Sequence, residues 1–247
     1  MFFSKLLAAA AAFELAHGLS SSLKQITGFT STPTKATMYA YIPANKAAKP
    51  AVIVAVHHCQ GTGPGYFSET QGYASAADSK GFIVIYPNAP TSGGCWDVAS
   101  TASLTHNGGG DTQTIVNMVN YAVTNYGADA SKVFVTGSSS GAMMVNVLAG
   151  AYPDVFKAGT LYGGVPDGCF YVAGSTANMA TPGWNNNCAG GKVSKTAQAW
   201  GDLTRSYYPT YKGQYPALML YVPLPSSLHL PISPKPQSFQ ISARMLM

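Results

Sequence analysis

The chain has few charged side chains. Asp, Glu, Lys and Arg make up 9% of its 247 residues, and the net charge of +5 comes from scattered Lys and Arg without a basic run. Proteins that attract nucleic acid electrostatically need a concentrated basic patch. The sequence therefore predicts no nucleic-acid partner.

Long apolar runs are also missing. Residues 6–15 form one short Ala-rich apolar stretch, and no other segment approaches the roughly 20 apolar residues that span a membrane. A lysine precedes this stretch, and Ala16 and Gly18 supply small residues before a cleavage point after Gly18. The pattern predicts a signal peptide at residues 1–18, and hence a secreted, extracellular protein without a membrane partner. Glu14 interrupts the stretch, which leaves an Ala-rich first helix of the fold as the alternative.

Cysteine is scarce, with four in the chain and none in a C-x-x-C pair. This spacing disfavours zinc and thioredoxin-like redox sites, and we expect no metal or other cofactor. An even number of cysteines in an exported chain predicts two disulfides, for which three pairings exist. We favour Cys59–Cys95 and Cys169–Cys188, because these pairs close the shorter loops.

The rest of the sequence alternates between strand-like and helix-like segments. Its length fits one large α/β domain, which we place at residues 19–221. Short apolar runs predict buried strands, and segments that end at Gly81 or Gly127 predict helices. The predicted strands lie at 37–42, 51–56, 82–86, 132–136 and 159–162, and the predicted helices at 73–80, 111–126 and 142–152. Repeated alternation predicts an α/β fold in which helices cover both faces of a mostly parallel sheet.

The most informative motif is a G-x-S-x-G run from Gly137 to Gly141. It lies between a predicted strand and a predicted helix, which is the setting of the nucleophile elbow in the α/β-hydrolase fold. The sharp turn would expose the hydroxyl of Ser139 at the sheet edge, and the two glycines would keep the crowded turn free of Cβ atoms. The motif predicts a serine nucleophile, whereas a plain Ser/Gly-rich surface turn is the alternative.

Two further motifs follow predicted strands. Residues 57–65 contain two histidines and several glycines directly after the first buried strand, where an α/β-hydrolase places its second oxyanion donor. The alternatives are a glycine-rich turn and a metal site at the histidine pair. Adjacent histidines in an extended segment point in opposite directions, which disfavours a metal site. Residues 92–97 follow the next strand, and Trp96 can form either a sugar-stacking wall or part of the core.

These motifs together resemble a known family. The runs at 57–66, 93–97, 104–110 and 133–144 look like those of fungal acetyl xylan esterases of carbohydrate esterase family one. Feruloyl esterases and poly(3-hydroxybutyrate) depolymerases are more distant relatives. The resemblance covers roughly residues 24–221.

The resemblance implies a secreted serine esterase that removes acetyl groups from xylan in plant cell walls, acting as a monomer on a polysaccharide. Ser139 matches the nucleophile, and the backbone N–H groups of Cys59 and Ser140 match the oxyanion hole. Trp184 matches an aromatic residue that shapes the substrate cleft. The alternative for Trp184 is a loop residue that packs beside Cys188.

The C-terminal segment departs from the family. The family places its acid in a Tyr-His-Gly-x-x-Asp stretch after the last central strands, whereas here the strand at 217–221 runs into a Pro-rich segment at 222–247. That segment has no Asp, Glu or Gly and contains five prolines. After the serine the acids are Asp154, Asp167 and Asp202 and the histidine is His229. Asp202 followed by His229 has the order that a triad of this fold requires. We therefore expect an aberrant tail, an incomplete C-terminal part of the fold and, as the alternative to an esterase, a catalytically inactive relative.

Overall fold

The computed structural model describes residues 18–30, 32–171 and 184–221. The predicted signal peptide, apart from Gly18, and the Pro-rich tail with His229 lie outside the described residues. Both remain predictions.

In the described part of the chain, one mixed sheet of seven strands forms the centre of the fold. Its order is β1-β2-β4-β3-β5-β6-β7. Strands β1 and β2 pair antiparallel, as do β2 and β4, and the other neighbours pair parallel. The strands are β1 Lys24–Gln25, β2 Thr37–Tyr41, β3 Val52–Val56, β4 Ile83–Asn88, β5 Val133–Ser138, β6 Ala158–Tyr162 and β7 Ala217–Tyr221.

The helices are α1 Gly63–Glu69, α2 Gln71–Lys80, α3 Asp111–Tyr126, α4 Ser140–Ala151, α5 Asn186–Ala189 and α6 Ala197–Ser206. Gly81 and Gly127 end α2 and α3 in the left-handed conformation, as predicted. Helix α1 occupies part of the segment expected to be a glycine-rich turn. Thr62 caps it, because its Oγ1 accepts the Gly65 N–H at 3.0 Å, and Pro64 fits the first turn.

Alternate residues of β4 divide between two hydrophobic clusters. Ile83 and Ile85 join the larger cluster with side chains of α3 and α4, whereas Val84 and Tyr86 join the smaller cluster with side chains of α1 and α2. Successive strand residues point to opposite faces of a sheet. Helices therefore cover both faces, and the predicted α/β-hydrolase architecture is confirmed.

Strand β7 lies at one edge of the described sheet, and one face near this edge is open. Phe134, Tyr162, Met219 and Tyr221 are exposed there. A cleft of about 460 Å³ is lined by Phe134, Tyr162, Met219 and Tyr73, among others. The crossovers from β5 to β6 and from β6 to β7 are right-handed and run in the same direction across the sheet. They therefore place α4 and α6 on the opposite face. Residues 222–247 lie outside the described residues, so the expected incomplete C-terminal part of the fold stays a prediction.

Candidate active site

Ser139 lies in the turn between β5 and α4, and it is exposed. Its backbone has φ 51° and ψ −117°, a conformation that residues with a side chain rarely adopt. Its N–H donates to the carbonyl of Tyr162 at 2.9 Å, and its carbonyl accepts from the Met143 N–H at 3.0 Å. Such strained positions persist where surrounding structure holds them, and they cluster at active sites.

Both glycines of the motif are required by close backbone packing. A Cβ atom at Gly141 would lie 2.1 Å from the carbonyl oxygen of Val56, and one at Gly137 would lie 2.5 Å from the carbonyl carbon of Gly141. Neither position tolerates a side chain. The first turn of α4 therefore rests directly on the end of β3, which brings its N-terminal N–H groups beside the loop that leaves β3.

That loop, residues 57–61, is here called the oxyanion loop. Gln60 has a φ of 62°, and its N–H donates to the carbonyl of Gly93 at 2.9 Å. Cys59 is bridged to Cys95, with 4.1 Å between their Cα atoms. In the part of the chain that the structure describes, no hydrogen bond uses the backbone N–H of Cys59 or of Ser140. Both N–H groups are therefore available to a ligand oxygen.

Residues 93–97, here called the Trp96 loop, lie between the oxyanion loop and α4. Trp96 is fully buried. Its indole Nε1–H donates to the carbonyl of His57 at 2.8 Å, and its backbone N–H donates to Ser140 Oγ at 2.9 Å. The proposed role of Trp96 as a substrate-binding wall is therefore wrong, because a buried ring offers no surface to a sugar, and the core alternative holds.

His57 is a buried, neutral histidine. Its Nδ1–H donates to the carbonyl of His58 at 2.7 Å, while its Nε2 accepts the Ala89 N–H at 3.1 Å. These two partners define one tautomer, because Nε2 can accept only when it carries no proton. Burial lowers the pKa of His57, which favours the same neutral form. The ring orders the oxyanion loop and is not free to act as a base for Ser139.

The other described histidines are also engaged away from Ser139. His58 contacts the Glu69 carboxylate at 3.0 Å, and its hydrogen bond to the carbonyl of Cys59 raises its pKa. The Nδ1–H of His106 donates to the carbonyl of Ala151 at 2.7 Å, and its ring stacks on Tyr208. In the sequence, the one histidine after Ser139 is His229, which lies outside the described residues.

Two of the acids after Ser139 have other partners too. Asp202, the acid of the candidate triad, is exposed on α6 and pairs with Arg205 at 2.6 Å. Asp167 accepts the Thr204 hydroxyl at 2.8 Å, and burial raises its pKa to about 6. Among the described residues, no hydrogen bond links an acid to a histidine that faces the nucleophile.

Trp184 is 63% exposed. Its indole donates to Asn186 Oδ1 at 2.9 Å, and its ring meets Phe170 edge to face at 5.3 Å. The neighbouring Cys169–Cys188 bridge holds this segment together. Both expected disulfides are present, and the exposed indole leaves Trp184 available to a polysaccharide.

Other site types find little support in the described residues. None of the described helices combines the length and hydropathy that crossing a bilayer requires. Within the same ranges, no group of three or more His, Cys, Asp and Glu side chains is placed to hold a metal ion.

Comparison with known proteins agrees with this geometry. The family profile described as esterase PHB depolymerase matches residues 37–189. The probable acetylxylan esterase A of Aspergillus niger is 53% identical over 202 residues, which cover 82% of this chain and 65% of that protein. The chain thus spans about two thirds of the length of this curated relative.

Solved structures extend the comparison. The acetyl xylan esterase from Aspergillus awamori matches with a TM-score of 0.77 and 50% identity, covering 81% of this chain and 72% of that chain. An S-formylglutathione hydrolase from Staphylococcus aureus matches with a TM-score of 0.51 and 16% identity, over 82% of this chain and 80% of that chain. The second likeness concerns the fold alone.

Proposed function

We propose a function for this chain, which belongs to the esterase PHB depolymerase family. The chain is a serine esterase that removes acetyl groups from xylan. Ser139 is its nucleophile, and the backbone N–H groups of Cys59 and Ser140 form its oxyanion hole. The observation that carries the proposal is the exposed serine held at φ 51° between two glycines that admit no Cβ atom.

The arrangement suits acyl transfer. Ser139 Oγ attacks the acetyl carbonyl carbon, and negative charge develops on the carbonyl oxygen. N–H groups fixed in advance stabilise that charge without reorganisation, and the positive end of α4 adds to the effect. The sugar hydroxyl leaves with a proton, and water then releases acetate from the acylated serine. A base is needed to take the Ser139 proton and later to activate that water.

Substrate and compartment are part of the proposal. The relatives named as acetylxylan esterases support acetylated xylan as the polysaccharide partner. Two disulfides support export from the cell, directed by a signal peptide at residues 1–18 and followed by an esterase domain at 19–221. Trp184 would contact the polysaccharide, and the enzyme would act as a monomer.

The direct test is substitution of the nucleophile. In a version of the chain whose residues 222–247 are replaced by the corresponding segment of the Aspergillus niger relative, we expect Ser139→Ala to lower the rate of p-nitrophenyl acetate hydrolysis, and of acetate release from acetylated xylan, by at least about a thousandfold. Ser138→Ala, which removes the neighbouring hydroxyl of the same motif, serves as the matched control and should keep most of the rate. Retention of activity in Ser139→Ala would refute the assignment of the nucleophile.

A catalytically inactive relative is the second candidate. It is favoured by the described histidines and by Asp202, each of which is engaged away from the elbow. An oxyanion hole without a base leaves only residual catalysis. Acetate release by the wild-type chain that equals release by Ser139→Ala would support this candidate over the esterase.

A further inference from the structure

We infer that the Ser140 hydroxyl and the Trp96 indole are positioning residues, which hold the two proposed oxyanion donors at a fixed separation. The inference rests on the proposed function, since it concerns the same oxyanion hole. Neither group touches the substrate. Each acts through the backbone that carries a donor.

The two donors need an external link because they belong to different elements. Cys59 lies in the loop after β3, whereas Ser140 begins α4, more than 80 residues later in the chain. An oxyanion hole works when both donors lie about 2.7 to 3.1 Å from the position of one oxygen atom. Small relative shifts of β3 and α4 would separate them, and a misplacement of about 1 Å can cost roughly a hundredfold in rate.

The link to α4 runs through the Ser140 side chain. Ser140 is buried, and its Oγ accepts the Trp96 backbone N–H at 2.9 Å. A hydroxyl at this position is not needed to cap the helix, since Ser139 and not Ser140 is the N-cap residue. The bond joins the residue whose N–H is a proposed donor directly to the Trp96 loop.

The link to β3 runs through the Trp96 indole and the neighbouring backbone. The indole N–H donates to the carbonyl of His57, which lies against α4, because a Cβ atom at Gly141 would be 2.7 Å from that oxygen. The indole thereby fixes the peptide that leads to Cys59, two residues further on. The Cys59–Cys95 bridge and the Gln60 N–H bond to Gly93 attach the same two loops again.

Trp96 is thus bonded to both sides of the proposed hole. Its backbone N–H contacts the α4 side, and its indole N–H contacts the β3 side. The ring is buried against His57, with 4.9 Å between ring centroids, so both bonds come from one firmly packed residue.

The test is Ser140→Ala, which removes the hydroxyl but keeps the Ser140 N–H. We expect kcat for p-nitrophenyl acetate to fall about tenfold while KM changes less than about twofold, because the lost alignment matters in the transition state. Trp96→Phe, which keeps an aromatic ring and removes the indole N–H, should act in the same direction. Ser140→Thr, which restores an Oγ, should recover most of the lost kcat.

The matched control is Thr114→Ala. Thr114 lies on α3 and is also buried. Its Oγ1 also accepts a backbone N–H, which is that of Thr34 at 3.1 Å. This variant should lower the unfolding temperature without changing kcat. An unchanged kcat in Ser140→Ala, or an equal fall in Thr114→Ala, would overturn the inference.

Covalent labelling of Ser139 by a fluorophosphonate separates this inference from the proposed function. A labelled wild type, together with a Ser140→Ala variant that is labelled more slowly although its unfolding temperature is no lower than that of Thr114→Ala, would support positioning. Equal labelling rates would overturn the positioning role alone. A wild type that is not labelled would overturn the proposed function, and this inference with it.

Discussion

The two halves of the sheet differ in how completely they are covered. Strands β3 and β4 have helices on both faces, and Val54 and Ile85 are fully buried. On β6 and β7, by contrast, Tyr162 is 40% exposed and Met219 44% exposed on the open face. The proposed nucleophile and the proposed oxyanion donors depend on the covered half. The segment in which the proposed function would require a base and an acid follows the open half.

One part of the candidate hydrolase site in this chain is thus well ordered independently of the rest. The elbow, the oxyanion loop and the Trp96 loop are held by β3, β5 and α4 through close packing and hydrogen bonds among the described residues. Large exposed apolar patches mark surfaces that another segment or molecule covers. Changes to the two halves should therefore have different consequences, and the experiments below test that difference.

The largest effect should come from the segment after Tyr221. We expect a chimera, in which residues 222–247 are replaced by the corresponding segment of the Aspergillus niger relative, to hydrolyse p-nitrophenyl acetate at least about a thousandfold faster than this chain. The replacement would supply a triad acid and histidine, and it should also improve solubility by covering the open sheet face. Comparable turnover of both proteins would show that His229, or another base, already serves this chain.

A smaller effect should distinguish the two disulfides. Removing the Cys59–Cys95 bridge, by a double substitution to Ala, should lower the fluorophosphonate labelling rate of Ser139 by about tenfold or more, because the bridge orders a proposed oxyanion donor. Far-ultraviolet circular dichroism should change little. The matched variant without the Cys169–Cys188 bridge should label within about threefold of wild type. Equal losses in the two variants would argue for a general effect on stability.

The smallest effect should appear in the pH dependence of the free energy of unfolding, through a buried carboxyl group that contacts the Trp96 loop. Asp111 is buried, its Oδ2 accepts the Asp97 N–H at 3.0 Å, and burial raises its pKa to about 6. Because the folded protein binds this proton more tightly than the unfolded chain, the contribution of Asp111 to the free energy of unfolding falls as pH rises from about 4 to about 6.

Asp111→Asn should remove that dependence. At pH 7 we expect its free energy of unfolding to exceed that of wild type by on the order of 2 kcal/mol, and the difference should disappear near pH 4. Urea unfolding at several pH values measures it. A difference that stays constant with pH would mean that the Asp111 carboxyl titrates normally in the folded protein.

Features with local causes were predictable from the sequence. The strand-turn-helix motif is indicated within five residues, by Gly137, Ser139 and Gly141. The apolar runs of β3 and β4 define the covered core. The favoured cysteine pairs also form, as short loop closure suggested. Helix α1 was missed, although Thr62 followed by Pro64 is a readable start signal, because the surrounding glycines indicated a turn.

Features with long-range causes were not predictable. The burial of Trp96 depends on His57 and Ser140, which lie about 40 residues away on either side in the chain. The tautomer of His57 depends on the Ala89 N–H, a partner contributed by the segment after another strand. No periodicity or motif encodes such contacts, because they are fixed when three separate segments meet at one sheet edge.

The Cys59–Cys95 bridge has a consequence for how the chain folds. It follows closely after β3 and β4, the central parallel pair, and encloses α1, α2 and β4 in one covalent ring. Parallel strands form slowly because a long connection must close before any contact rewards it. Once the bridge exists, the carboxyl ends of both strands stay together even in the unfolded chain. Refolding with the bridge intact therefore begins with the connection between β3 and β4 already closed.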